Sequence, residues 1–166
     1  VPMTKRNPSE SSVTMTEIVL PGDANSLGTI FGGKVMNWID IAAAIAAGRH
    51  SRRVVVTASI DALHFIAGVR VGQVLHIQAR VNYAARTSME VGVRVESENP
   101  LTGERKHTAS AYTTFVALNA KGKPTPVPQI DPITKEDKRR FAAARMRRET
   151  RVRLAENLKS YRSENP

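Results

Sequence analysis

The chain of 166 residues contains no cysteine. That excludes a disulfide framework, thiolate metal ligation and a thiol nucleophile. Aromatic residues are scarce, at 5% with a single tryptophan, so a stacking platform for single-stranded nucleic acid is not expected. No apolar run approaches the roughly 20 residues that cross a bilayer, and residues 1–13 are polar with no signal-peptide core. Together these predict a cytoplasmic protein with no membrane span. Acidic residues are in deficit, 15 against 25 Lys and Arg, for a net charge of +10. What is present is 41% hydrophobic residues in spaced runs, the pattern of a globular domain. The length suits one domain rather than two.

The positive charge is unevenly placed. Residues 135–166 hold 11 basic and 5 acidic residues, whereas residues 1–134 hold 14 and 10. The tail has no Gly or Pro before Pro166 and opens on a possible capping pair, Thr134 and Asp137, so residues 134–166 are predicted to form a basic helix. Its apolar residues are sparse, which suits a solvated helix resting on the body or on a neighbouring subunit; an anionic partner is the alternative. There is no groove-reading motif, so nucleic acid is not expected. The resulting division is a flexible N-terminus over 1–12, a domain over 13–133 and the helical tail.

Within the body, residues 13–20 read as a strand, followed by a turn-rich loop over 21–33. Residues 35–47 are apolar on nearly all sides and end at Gly48, which predicts a helix buried at the centre of the domain. Four β-like segments follow, over 54–66, 74–83, 89–96 and 106–118. In the second, Leu75, Ile77, Ala79, Val81 and Tyr83 alternate with His76, Gln78, Arg80 and Asn82. Alternation of this kind means an antiparallel sheet with one side covered. One strand, a helix and then four strands in a meander is not a βαβ order. It predicts an α+β fold, a curved antiparallel sheet of about five strands wrapped around one long central helix.

Asp40 does not fit a plain core. It lies between Ile39 and Ile41 in the apolar helix, where an unpaired ionised carboxylate costs several kcal/mol. It must therefore be paired, face an interface or be protonated, and a general base or nucleophile is the favoured reading. The loop before the helix carries Gly32 and Gly33, which free the first-turn backbone N–H groups and admit a ligand closely. With the helix dipole, this suits an anion or a carbonyl oxygen that becomes negative. The spacing Gly28-x-x-x-x-Gly33-Lys34 approaches a phosphate loop, but Val35 stands where Ser or Thr would hold magnesium, and no βαβ context follows. His50, His64, His76 and His107 show no metal spacing, and there is no Gly-x-Ser-x-Gly elbow. Neither a metal site nor a serine hydrolase is expected.

The run from Asp23 to Asp40, with Asn25, Gly32-Gly33 and Met36-Asn37-Trp38-Ile39-Asp40, resembles the hotdog-fold acyl-CoA thioester hydrolases. Phe65-Ile66, Val71-Gly72, Arg86-Thr87-Ser88-Met89-Glu90-Val91 and Thr114-Phe115-Val116-Ala117 follow in the family's order, so the resemblance covers residues 13–128. It departs at Gly68, where relatives usually carry Pro, and at Ala67, where a basic residue is common. The resemblance implies hydrolysis of acyl-CoA to a fatty acid and CoA, with no cofactor beyond the CoA of the substrate. It makes Asp40 the catalytic carboxylate, gives Asn25 an assisting role at the thioester, and places the oxyanion hole at the N–H groups near Gly32 and Gly33. Arg86, Thr87 and Ser88 would lie along the CoA moiety, and Lys121, Gly122 and Lys123 near its phosphates. It also implies an obligate homodimer, with a trimer of dimers, a hexamer, as the favoured larger form.

Helix geometry adds a constraint. Gly33 and Asp40 are about two turns apart, about 10 Å along the axis, whereas a water between a base and a bound carbonyl spans roughly 6–7 Å. The site is therefore expected to join groups of two subunits across a two-fold. A non-hydrolytic acyl-CoA-binding regulator of the same fold, with a nucleic-acid-binding tail, is the alternative. A dehydratase is disfavoured, because no His falls in the helix or its preceding loop.

Overall fold

The computed structural model describes residues 4–164. In chain order the elements are β1 (Lys5–Arg6), β2 (Val13–Ile18), α1 (Gly32–Ser51), β3 (Val54–Phe65), β4 (Val74–Ala84), β5 (Ser88–Glu98), β6 (Arg105–Leu118), β7 (Gln129–Ile130) and α2 (Lys135–Glu164). Alternation in β4, β5 and β6 sends Leu75, Ile77, Val81, Met89, Val91, Val95 and Phe115 to one face, where all are fully buried. Against that face lie Ile39, Ala42, Ala43, Ala46 and Ala47 of α1. The alanines let the helix sit close to the sheet, and the large β-strand side chains fill the remaining volume.

The five long strands form one antiparallel sheet in the order β2-β4-β5-β6-β3, and β1 pairs with β7 in a small parallel pair. The expected four-strand meander is thus corrected to three strands, β4 to β6. β3 pairs with β6 instead of β4, and the loop over 66–73 carries the chain to the opposite side of the sheet. β3 is left as an edge strand running antiparallel to α1, because only a short turn separates the helix end from Val54.

Two further expectations change. Residues 4–12 are not a loose extension: Asn7 caps a 3-10 turn at Pro8–Ser11, and the buried Ser11 hydroxyl accepts from the Val81 N–H at 2.9 Å. The first three residues of that expected flexible segment, and the last two of the tail, lie outside the described residues. The central helix is buried on one side only. Met36, Ile41 and Ile45 remain about two-fifths exposed, because a single copy of the sheet covers only half of an all-round apolar helix.

The tail is a helix resting on the body, on the sheet face opposite α1. Its capping pair is reciprocal: the Thr134 hydroxyl accepts from the Asp137 N–H at 3.0 Å and the Asp137 carboxylate from the Thr134 N–H at 3.1 Å. Burial raises the Asp137 carboxyl, but the Thr134 hydrogen bonds and the Arg80 guanidinium outweigh it and hold the group below its usual range. Among the described residues no helix is long and apolar enough to cross a membrane.

Candidate active site

The loop before α1 is shaped by two acidic or amide side chains. Asp23 accepts from the Leu20 N–H at 3.1 Å and pairs with Lys34 in the first turn at 3.2 Å. The Leu20 hydrogen bond and the Lys34 ammonium hold its carboxyl below the usual range. The side-chain oxygen of Asn25 accepts from the Leu27 N–H, the Thr29 N–H and the Thr29 hydroxyl at 3.0, 3.3 and 3.2 Å. This assigns the amide orientation from its surroundings. The Asn25 Nδ2 is left with no acceptor among the described residues, so Asn25 presents a donor.

α1 opens at Gly32 without a side-chain cap. The Lys34 and Val35 N–H groups both bond to the Phe31 carbonyl, whereas those of Gly32 and Gly33 find no acceptor among the described residues. A Cβ at Gly32 would stand 3.2 Å from Cζ of Phe65, so a larger residue would crowd the ring. A pocket of 240 Å³ opens at this point, lined by Ile30, Gly32, Val35, Phe65, Ile66 and Thr108 among others. The helix start therefore combines free donors with an apolar recess.

Asp40 is half-buried on the uncovered side of α1, in the neighbourhood of Ile41. Its Oδ1 accepts a 2.7 Å hydrogen bond from the Thr57 hydroxyl of β3. Thr57 was not singled out from sequence. The available signal was a polar residue in the run Val55, Val56, Thr57, placed by alternation on the same side as Val55, which packs on the core. None of the four histidines bonds Asp40. His50 is buried and donates through Nε2 to the Pro128 carbonyl at 2.7 Å, His76 meets Glu98 at 2.5 Å, and His107 meets Ser110 at 2.8 Å.

Arg86, Thr87 and Ser88 occupy the β4–β5 turn and its exit. The carbonyls of Arg86 and Thr87 accept from the Val127 and Ala117 N–H groups. Lys121, Gly122 and Lys123 form the exposed turn after β6, where the Asn119 side chain accepts from the Lys121 and Lys123 N–H groups at 2.9 and 3.0 Å and Gly122 adopts φ +70°. The two turns share one end of the sheet, since Ser88 and Val54 are paired to the last residues of β6. That is the end where α1 finishes. Gly32 lies at the other end, beside Phe65. The 20 residues of α1 correspond to about 30 Å, so one chain brings Asp40 to Thr57 but keeps the two basic turns far from the helix-start donors.

A long helix laid on a five-stranded antiparallel sheet, with a carboxylate halfway along it and free N–H groups at its start, defines a hotdog-fold thioester hydrolase. The thioesterase superfamily model matches residues 27–104. An uncharacterized acyl-CoA thioester hydrolase of Bacillus subtilis, YkhA, is 44% identical over 128 residues, 77% of this chain and 74% of that one. The crystal structure of an apo-hexameric acyl-CoA thioesterase superposes with TM-score 0.89 at 46% identity, covering 92% of this chain and 98% of the other. An acyl-CoA hydrolase of Staphylococcus aureus, solved with butyryl coenzyme A and coenzyme A, gives 0.85 at 35% identity over 95% and 98% of the two chains. Variants of that hydrolase with one Asp, one Thr or one Asn replaced by Ala have also been solved. The chain spans only 25% to 36% of the length of the mammalian thioesterases it matches. It belongs to the thioesterase superfamily, among the acyl-CoA thioester hydrolases.

Proposed function

We propose that the enzyme hydrolyses acyl-CoA in a site assembled from two subunits, and that Asp40, held by Thr57, is its general base or nucleophile. The observation that carries this reading is the opposite placement of the donors and the basic turns in one chain. β3 is an edge strand whose outward backbone groups are unpaired within the sheet, and Val54, Val56, Met36, Ile41 and Ile45 beside it are exposed. Pairing two β3 strands antiparallel about a two-fold would extend the sheet and bring the second copy's helix over Met36, Ile41 and Ile45. It would also lay the Val54 end of one subunit beside the Phe65 end of the other. Asn25, Gly32 and Gly33 of one subunit would then face Asp40, Thr57, Arg86, Thr87, Ser88, Lys121, Gly122 and Lys123 of the second.

In this arrangement the Gly32 and Gly33 N–H groups receive the thioester oxygen as it becomes negative, and Asn25 donates to the thioester or the attacking water. As a base, Asp40 takes a proton from water, whose oxygen bonds to the acyl carbon. The C–S bond then breaks, and the departing thiolate recovers that proton. As a nucleophile, its free Oδ2 bonds to the acyl carbon as the C–S bond breaks, giving an anhydride and a thiolate. Water then opens the anhydride to the fatty acid and restores Asp40, and its proton goes to the thiolate. The apolar recess beside Phe65 would take the start of the acyl chain, while the arginine and lysines meet the CoA phosphates. No cofactor is required. The Asn, Asp and Thr substituted in the Staphylococcus hydrolase follow one another at the same spacing as Asn25, Asp40 and Thr57 here. We propose that this two-fold pair is the unit of a hexamer acting in the cytoplasm; one relative is hexameric.

The test is complementation. Asp40→Ala and Asn25→Ala homodimers should each release little free thiol from acyl-CoA. Heterodimers of the two should recover about half the wild-type turnover per dimer, through one intact site. Purified heterodimers as inactive as the parents would refute the shared site, and a wild-type protein that binds acyl-CoA without releasing thiol, as tightly as Asp40→Asn does, would favour the non-hydrolytic binder.

A further inference from the structure

We propose that the distal half of α2 is a strap between subunits, docking on the outer sheet face of a second copy of this chain, the one joined along β3. The inference rests on the two-fold assembly proposed above and adds a contact to it. α2 meets the strands in their spatial order. Near its start Asp137 accepts from Arg80 of β4 at 2.9 Å, and Phe141 meets Tyr83 with ring centroids 5.1 Å apart. Midway, Arg147 forks onto Glu90 of β5 at 3.1 and 2.7 Å and stacks 3.6 Å from the ring centroid of Tyr112 on β6. Arg151 then pairs with Asp61 of β3. Arg80, Gly92, Tyr112 and Asp61 form one transverse row in the strand register. The helix therefore runs across the strands and leaves the sheet at its β3 edge.

It does not stop there. α2 continues from Arg151 to Glu164, a rise of about 20 Å, or roughly four strand widths of about 4.8 Å. The docking stripe continues as well. Ala144, Arg147, Arg151, Leu154 and Leu158 follow at alternating steps of three and four, which places them on one side of a helix. The inboard members are covered by this chain's sheet, Ala144 completely, whereas Leu154 and Leu158 are 55% and 48% exposed. The stripe turns apolar past the point where its own sheet ends.

What lies beyond that edge decides the occupant. A second β3 strand paired with the first continues the sheet, so the outer face of the second copy begins where α2 leaves its own. That face offers apolar surface at its margin. Val55 packs on the core, so alternation turns Val54 and Val56 outward, and they are 70% and 43% exposed. By symmetry each α2 would lie across both sheets, and the two helices would run antiparallel over the two-fold.

The experiment compares wild type with the full-length Leu154→Ser/Leu158→Ser variant by sedimentation equilibrium. The expected result is at least a tenfold rise in the dissociation constant of the two-fold pair, with unchanged helical content. A constant unchanged within twofold overturns the strap while leaving the shared site standing. A wild-type chain that stays monomeric at micromolar concentration overturns both. Loss of a hexamer with its pairs intact overturns the strap, because it places the stripe against a different neighbour. In parallel, Leu158→Cys gives the chain its only thiol for an environment-sensitive dye. Emission should shift to the red as dilution separates the pair; no shift overturns the proposal, and so does a shift seen only on adding anionic phospholipid vesicles.

Discussion

A carboxylate has two equivalent oxygens until a neighbour distinguishes them, and at Asp40 that neighbour is Thr57. The 2.7 Å hydrogen bond fixes Oδ1 and leaves Oδ2 to act, so Thr57 is a positioning residue. Losing a hydrogen bond to a charged group is worth about 1.5–3 kcal/mol, which corresponds to roughly a 10–100-fold change in rate. Thr57→Val should therefore lower kcat by about that factor with little change in KM, whereas Thr57→Ser should retain most of the activity. A steady-state series against one acyl-CoA measures both, and equal kcat in the Val and Ser variants would contradict the assignment. Asp40 was legible because a carboxylate among Ile39, Ile41 and alanines conflicts with burial. Thr57 was not, because its partnership depends on how β3 lies along α1. Asn25 was legible as part of a motif, but its exposed donor is defined only by the three hydrogen bonds on its oxygen.

At the scale of elements, periodicity located nearly every strand and both long helices, because alternation and apolar faces report which side is covered. Neighbours are another matter. Nothing in the pattern of β3 distinguishes β6 from β4 as its partner, so the strand order emerged only in three dimensions. The N-terminal segment was also hidden: it is held by the Ser11 hydroxyl, bonded to a strand 70 residues away, and by the pairing of β1 with β7. The far end of α1 carries a comparable pin in His50, which bonds Pro128 just before β7. Burial lowers the proton affinity of His50 more than the Pro128 carbonyl raises it. An unfolded His titrates near 6.5, so below that pH the unfolded chain binds a proton that the folded chain resists. Stability should therefore fall as pH drops through about 6.5, by at most ~1.4 kcal/mol per unit from this group. Urea midpoints between pH 7 and pH 5.5 should show that slope in the wild type and a shallower one in His50→Gln. Identical slopes would remove His50 from the account.

For the whole molecule, the net charge of +10 was a poor guide to partners, because part of it is structural. Arg80, Arg147 and Arg151 are committed to Asp137, Glu90 and Asp61, where they fasten α2 to the sheet. The antiparallel course of α1 and β3 has a broader consequence. If each chain holds the complementary halves of two sites, an isolated chain turns over nothing, however well it is folded. Specific activity should then be constant at high enzyme concentration and fall in proportion to concentration once the assembly dissociates. A dilution series in the thiol-release assay, matched to sedimentation at the same concentrations, should show both regimes; constant specific activity for a sedimenting monomer would contradict the shared site. The edge of β3 thus sets the reaction order in enzyme. A substitution there could pass in a dilute assay for damage to the chemistry, with every reacting group intact, and be restored simply by adding more protein.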